Sequence, residues 1–370
     1  MLNNRVVITN NSSKYIFRFK KNLIKALNDE GYSVTVIAPW DEYSPRLSEL
    51  GAKYEFIEME TNGMNPVKDF IYMWNLAKLY RKVNPFANLL FTVKPNIYGT
   101  LVSRFFGINA ISNITGLGSN FLNKGIVQSL IKLLYKLAFQ FSTKVFFQNS
   151  EDKDLFLNQK LVKENQTQLI PGSGVDLNHY KPEPKTDDDL FTFLMIGRII
   201  QDKGVIEYVE AAKLILEKYD RVKFCLLGEC DSDNLSSINF ETISRWQSSG
   251  LIEYLGEVED VRNYISSSDV VVLPSYREGM PRVLLEAAAM EKPLIGCDVP
   301  GCRHIIRDES NGFLCEAKDH LSLFRKMEKM KLLSPEEREE MGKNGRLVVE
   351  RDFDEKIVIQ AYLDNLTDLQ

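Results

Sequence analysis

The sequence predicts an α/β protein made of two doubly wound, parallel-sheet domains in series. Three observations carry this. Short segments rich in β-branched and aromatic residues alternate with stretches of helical periodicity along most of the chain. The alternation stops at a Pro- and Asp-rich stretch, PEPKTDDD at 182–189, and then restarts. The 370 residues are too many for one ordinary core.

Strands are expected over 5–9, 33–38, 54–59, 88–93, 110–115, 144–148 and 167–170, with helices over 14–28, 67–82, 97–106 and 126–141. Segments alternating in this way form parallel sheets covered by helices on both faces. Beyond the linker come strands at 191–197, 222–228, 252–256, 270–274, 294–297 and 312–315, with helices near 203–218, 237–248 and 281–290. Two further helices, about 335–351 and 353–366, follow with no strand between them. This gives a first Rossmann-like domain over 1–180 and a second over 190–350, with the terminal helix at 353–370 a candidate to pack back on the first. Ligands of such sheets bind at the carboxyl ends of the strands, so two domains face to face would place a site in the cleft between them.

Hydrophobic residues at 44% and charged residues at 26% exclude a disordered chain. The start, MLNNRVVITNN, lacks the apolar core and small-residue cleavage site of a secretory signal. No uninterrupted apolar stretch is long enough to span a bilayer. The five cysteines, at 225, 230, 297, 302 and 315, form no C-x-x-C pair, which argues against a disulfide framework or zinc site and for reduced thiols in the cytoplasm. Net charge is −5 but uneven: residues 1–175 hold 21 Lys+Arg against 13 Asp+Glu, and the remainder 25 against 38. Residues 61–150 hold ten Lys+Arg and a single acid, Asp69. The first half is therefore expected to meet something anionic.

The candidate chemistry lies in the second half. Ile196-Gly197-Arg198 ends an apolar strand, and Lys203-Gly204 opens the next helix. Two cations around a glycine turn, with free N–H groups at a helix start, suit a diphosphate; two surface cations on a solvated loop would look the same. The stretch PSYREGMPRVLLE at 274–286 runs from a buried strand into a loop carrying Glu278 and then a helix carrying Glu286. Glu286 interrupts an apolar run, so its carboxylate either meets a buried hydroxyl or amide partner or faces a polar ligand. A ribose diol suits an acceptor-only group.

The stretches GRIIQDKG (197–204), YLGEVEDV (254–261), LPSYREGMPRVLLEAAA (273–289), VPGCRHII (299–306) and NGFL (311–314) together resemble the retaining GT-B-fold glycosyltransferases with an E-x7-E motif, glycosyltransferase family 4, group 1. The resemblance implies that Arg198 and Lys203 bind the diphosphate of a nucleotide-sugar donor. It implies that Glu286 holds the ribose hydroxyls and Glu278 the donor sugar near the reacting carbon. Backbone at Gly279 and Met280 would touch the β-phosphate or sugar, and backbone at Glu257 and Val258 the base, expected to be uracil. In the first half, FTVKPNIYGTL (91–101) and ISNITGLGSNF (111–121) are similar to the subgroup acting on polyprenyl-diphosphate-linked sugars in bacterial surface glycan assembly. Its acceptor-side or loop candidates here are Asn11, Ser12, Lys94, Asn96, Thr115, Gly116 and Gly118. Two departures stand out: Asn10-Asn11-Ser12-Ser13 replaces a Gly-Gly loop, and the histidines, at 179, 304 and 320, all lie outside the early part of the chain where relatives place one beside the donor sugar.

The implied enzyme is a hexosyltransferase or N-acetylhexosaminyltransferase using a UDP-sugar as substrate, with retention, no cofactor and no metal. Charge developing on the leaving β-phosphate would be met by Arg198, Lys203 and the helix start near 281. Asp231-Ser232-Asp233 resembles a metal-binding D-x-D but is expected to be a loop without a third ligand. KGIVQSLIKLLYKLAFQFSTK (124–144) has an apolar face of Leu130, Leu133, Leu134, Leu137 and Phe141 with Lys132 and Lys136 beside it. Either it packs on the sheet with solvated lysines, or it contacts an anionic membrane peripherally, at the cytoplasmic face of the inner membrane. No nucleic-acid motif accompanies the charge. A soluble-acceptor transferase, a nucleotide-sugar epimerase on the same fold and a non-catalytic sugar-nucleotide scaffold are the alternatives.

Overall fold

The computed structural model of the protein describes residues 3–60, 63, 65–117, 125–185, 190–230 and 236–370. Its strands form two sheets that are parallel throughout. The first runs β3-β2-β1-β4-β5-β6-β7, with β1 (Arg5–Thr9), β2 (Ser33–Ala38), β3 (Lys53–Phe56), β4 (Ala87–Phe91), β5 (Asn109–Ile114), β6 (Lys144–Phe147) and β7 (Thr167–Leu169). The second runs β10-β9-β8-β11-β12-β13, with β8 (Phe191–Ile196), β9 (Val222–Leu227), β10 (Glu253–Tyr254), β11 (Val270–Leu273), β12 (Leu294–Cys297) and β13 (Gly312–Cys315). In each sheet the order reverses beside the first strand, at β1/β4 and at β8/β11, which is where an open α/β sheet leaves a crevice at its carboxyl edge. The central strands read as unbroken apolar runs because helices cover both faces: every residue of β8 and β11 is buried.

Helices of the first unit are α1 (Ser13–Asp29), α2 (Pro66–Val83), α3 (Thr100–Phe105), α4 (Ile126–Phe139) and α5 (Ser150–Asn158). Those that follow are α6 (Val205–Leu216), α7 (Phe240–Ser248), α8 (Arg262–Ser267), α9 (Arg282–Ala289), α10 (Cys302–Ile305), α11 (His320–Leu332), α12 (Pro335–Asp352) and α13 (Glu355–Thr367). Several boundaries differ from the sequence reading for local reasons. The strand expected over 54–59 stops at Phe56, and β10 is a two-residue strand. The helix expected from 237 starts at Phe240, because Ser237 bridges Ile200 and Asn239 caps by accepting from the Thr242 N–H at 2.8 Å. The helix over 97–106 is entered through a π turn at Pro95–Gly99. Helices α5 and α11 were not expected; their signals are the caps Asn149 and Asp319.

The chain divides into one unit of Met1–Ser173 with Lys356–Gln370 and another of Gly174–Glu355. The boundary therefore falls earlier than the expected linker, of which residues 186–189 lie outside the described residues. Residues 174–180 join the second unit through backbone contact. Gly174 has φ +66°, and a Cβ there would lie 2.3 Å from the Glu355 Cα. The Val175 N–H donates to Phe353 O at 2.9 Å, and the Glu355 N–H returns to Val175 O at 3.1 Å. Arg346 of α12 donates to the carbonyls of Tyr180, at 2.8 Å, and Ala289, at 2.6 Å.

In the first unit, Val358, Tyr362 and Leu366 of α13 are buried with α1 and with Phe91 and Phe146 of the sheet. The Tyr362 ring lies 5.1 Å from that of Phe146, and its hydroxyl donates to Asn113 Oδ1 of β5. Asn365 Nδ2 donates to Gln168 Oε1 of β7 at 3.0 Å. Tyr362→Ala removes a buried aromatic and leaves Asn113 short of a donor. It should cost about 3–5 kcal/mol in chemical denaturation, whereas Tyr362→Phe should cost only about 1 kcal/mol.

Candidate functional site

At the carboxyl edge of the second sheet, three strand ends are stitched by backbone. The Gly197 N–H donates to Leu227 O at 3.0 Å, and the Gly228 N–H donates to Gly256 O at 2.8 Å. Gly228 has φ +151°, and a Cβ on it would sit 1.8 Å from Gly197 O, so only glycine allows this crossing. The stitching brings the segments carrying Arg198 and Glu257 to one edge, and both side chains are exposed there. Val258 instead packs partly against the core of this unit, as does Met280.

Lys203 closes a 3₁₀ turn, Gln201–Lys203, and Gly204 follows at φ +76°. A Cβ at Gly204 would lie 2.1 Å from Pro274 O, and the Tyr276 N–H donates to Asp202 O at 3.0 Å. The turn therefore lies flat against the loop leaving β11. That contact sets Lys203 Nζ against Glu278 Oε1 in a part-buried ion pair. Gly301 supports the loop from the other side, its Cα facing the carbonyls of Gly279 and Glu278. The Cys302 thiol beneath is pushed well above its ordinary range, first by burial and then by the negative charge of Glu278. Pro281 is the N-cap of α9 rather than its first residue, with extended backbone angles. Glu286, one turn into α9, is buried, and the Nε of Arg282 donates to its Oε1 at 3.1 Å.

In the first unit the expected residues separate into two kinds. Ser12 caps α1, accepting from the Tyr15 N–H at 3.1 Å, and donates to Asp41 Oδ2 at 3.3 Å; Asn11 beside it is half-buried. Asn96 is locked to Asn113 by two bonds, Nδ2 to the Asn113 carbonyl at 2.8 Å and Oδ1 from the Asn113 N–H at 3.1 Å. Both side chains are thus engaged in shaping the strand ends. Thr115 and Gly116 are half-buried beyond β5, and Gly118 lies outside the described residues, as does Asp231-Ser232-Asp233.

Lys94 stands apart. Its Nζ lies 2.7 Å from Asp69 Oδ1, and the Tyr98 hydroxyl donates to Asp69 Oδ2 at 2.8 Å. Burial, and then the bond to Asp69, raise the Tyr98 hydroxyl well above its usual range, so it remains a donor. The segment leaves β4 through Thr92 at φ +70°, an outlier for a β-branched residue. The sequence reading missed Asp69 as a partner, although its being the one acid among ninety residues was the signal. Other residues without a sequence signal are Tyr180, Arg282 and the Tyr276–Glu207 pair, whose hydroxyl–carboxylate distance is 2.8 Å.

Two family models match the chain: "Glycosyl transferases group 1" over residues 178–348 and "Glycosyl transferase 4-like" over residues 6–149. A Campylobacter jejuni relative, N,N'-diacetylbacillosaminyl-diphospho-undecaprenol alpha-1,3-N-acetylgalactosaminyltransferase, is 32% identical over 97% of this chain and 97% of its own length. The Escherichia coli UDP-Gal:alpha-D-GlcNAc-diphosphoundecaprenol alpha-1,3-galactosyltransferase is 28% identical over 71% of each chain. Among solved structures, sucrose-phosphate synthase from Thermosynechococcus elongatus superposes with a TM-score of 0.82 at 18% identity, covering 99% of both chains. Anabaena HepE in complex with UDP and glucose gives 0.81 at 15% identity, covering 98% of this chain and 99% of its own. These likenesses establish the GT-B fold class.

Asp69→Ala leaves the part-buried Lys94 without its carboxylate, and should cost about 3–5 kcal/mol in chemical denaturation. Adding Lys94→Met should recover most of that loss, which a double-mutant cycle measures directly.

Proposed function

The chain belongs to the group 1 glycosyltransferases, and we propose that it moves a hexose or N-acetylhexosamine from a UDP-sugar to a hydroxyl of a polyprenyl-diphosphate-linked saccharide, with retention. The observation that carries the donor half is the Lys203–Glu278 pair, clamped by Gly204 and Gly301 at the carboxyl edge of the second sheet. In this reading Lys203 and Arg198 neutralise the diphosphate, and charge growing on the departing β-phosphate meets cations already in place, with no metal ion required. Glu278 and the backbone at Gly279 and Met280 orient the sugar. Glu286 takes the ribose diol, and backbone at Glu257 and Val258 pairs with uracil. The acceptor hydroxyl attacks the anomeric carbon on the face the diphosphate leaves, and its proton passes to the departing phosphate oxygen. The acceptor half is supported by the C. jejuni and E. coli relatives, whose substrates are undecaprenyl-diphosphate-linked sugars by name. On the acceptor side the reading keeps Asn11, Lys94, Thr115, Gly116 and Gly118, with Ser12 and Asn96 holding the loops in shape.

The proposal includes peripheral contact with an anionic membrane, at the cytoplasmic face of the inner membrane. Helix α4 is apolar on two sides. Ile131, Leu134, Tyr135, Ala138 and Phe139 pack inward, which moves Leu134 off the face read from the sequence. Val127, Leu130, Leu133, Leu137 and Phe141 lie exposed, Leu133 at 52%. Phe70 and Trp74 of α2 and Phe105 of α3 are also exposed, Phe105 at 83%. Lys78 lies over the Trp74 ring and Arg104 over that of Phe141. Exposed aromatics interleaved with cations suit an anionic lipid surface. Among the described residues no helix is long and apolar enough to cross a membrane.

With UDP-sugars and a polyprenyl-diphosphate-sugar acceptor, UDP release should depend on acceptor, persist in EDTA and fall at least about 100-fold in Glu286→Ala. NMR of the product should give the donor's anomeric configuration; inversion would rule out the mechanism. Co-sedimentation should bind the protein to vesicles containing anionic lipid, with binding weakened at least about tenfold by Leu133→Asp/Leu137→Asp; equal binding by that variant would remove α4 from the contact.

A further inference from the structure

We infer that Arg282 and Tyr180 are positioning residues that hold the Glu286 carboxylate aimed at a nucleotide ribose, so that selection of a ribonucleotide depends on all three side chains. This rests on the donor reading above for the role of Glu286 itself.

Glu286 is only 7% exposed. An isolated carboxylate at that depth would either protonate or turn outward. Arg282 lies one helical turn earlier on α9, and its guanidinium Nε reaches Oε1 at 3.1 Å from a side chain that is itself largely buried. Tyr180 comes from outside the helix, and its hydroxyl lies within the field of the same carboxylate. Its hydroxyl is held well above its ordinary range, first by burial and then by the Glu286 charge, and so stays protonated and able to donate. Asp260 adds to this effect and Arg282 opposes it. An ionised carboxylate offers about four acceptor positions. The guanidinium takes part of that capacity and the phenol is placed to take more, leaving the remainder for two vicinal hydroxyls.

Tyr180 can serve because its segment is bound to the second unit. Arg346 of α12 donates to the carbonyls of Tyr180 and of Ala289, the last residue of α9, at 2.8 and 2.6 Å. It also reaches Leu177 O at 3.5 Å. One guanidinium thus pins the Tyr180 backbone to the helix that carries Glu286. The rings of His179 and Tyr180 meet near a right angle with 4.9 Å between centroids, and the His179 carbonyl accepts from Arg262 at 3.4 Å.

Calorimetric titration of the full chain with UDP and with 2′-deoxy-UDP tests this. The wild type should prefer UDP by roughly tenfold or more, since a hydrogen bond to a charged acceptor is lost with the 2′-hydroxyl. Arg282→Gln should weaken UDP at least about tenfold and bring the UDP/2′-deoxy-UDP ratio towards one, and Arg282→Lys should keep part of the preference. Tyr180→Phe should lower the ratio several-fold. A UDP affinity that falls with an unchanged ratio means that the pair supports the fold only, and overturns the inference; so does an Arg282→Gln protein that behaves like the wild type. Glu286→Gln separates the two levels. If it retains the wild-type ratio, or if the wild type binds no UDP, the donor reading falls. If Glu286→Gln loses the ratio while Arg282→Gln and Tyr180→Phe keep it, only the inference falls.

Discussion

The second unit depends on backbone meeting backbone at the carboxyl edge of its sheet, at distances that exclude a Cβ. Gly228 crosses Gly197, Gly204 lies on the carbonyl of Pro274, and Gly301 lies under Gly279 and Glu278. The positive φ angles at these glycines would be costly for other residues. With loops from β8, β9, β11 and β12 held this closely, the side chains they carry have little positional freedom. Lys203 reaches Glu278 because its turn is seated on the loop that carries Glu278. A site arranged in advance of its ligand loses little free energy to reorganisation when charge develops in it.

Charge is handled in the same way in both units. Three carboxylates of low exposure meet a cation, one of them with a hydroxyl as well: Glu278 with Lys203, Glu286 with Arg282, and Asp69 with Lys94 and Tyr98. Such pairs add little net stability over well-packed apolar residues, so their presence is better explained by what they position. The Asp69 cluster follows β4 through the strained Thr92 and a π turn, two features that tertiary structure must impose because local propensity opposes them.

Much of the fold was legible because its signals are local. Strands β8 and β11 are apolar throughout, and the caps and glycines that bound the helices sit where their chemistry requires them. The motif residues were legible for the same reason: Gly197 to Gly204 and Pro274 to Glu286 are continuous in sequence. What escaped depends on contacts across the chain. Tyr180 comes under the influence of Glu286 over a separation of more than a hundred residues, and no periodicity marks it. Asp69 was counted as a charge but not seen as a partner, because the fold alone brings α2 to the loop after β4. The unit boundary was misplaced since a Pro- and Asp-rich composition marks exposure rather than the point where packing changes hands. Leu134 was assigned to the wrong side of α4 because a helix apolar on two sides has no single face to read.

The division at Gly174 and Glu355 also bears on how the molecule is made. The first unit is interrupted in sequence by the whole of the second, and Val358, Tyr362 and Leu366 are part of its core. A ribosome delivers the seven strands of that sheet early but the helix that covers Phe91 and Phe146 last. The nascent first unit therefore waits with apolar surface open while an entire second unit is synthesised and folds. That interval is when chaperone occupancy and aggregation would be decided, and its length is set by the distance along the chain between Ser173 and Lys356.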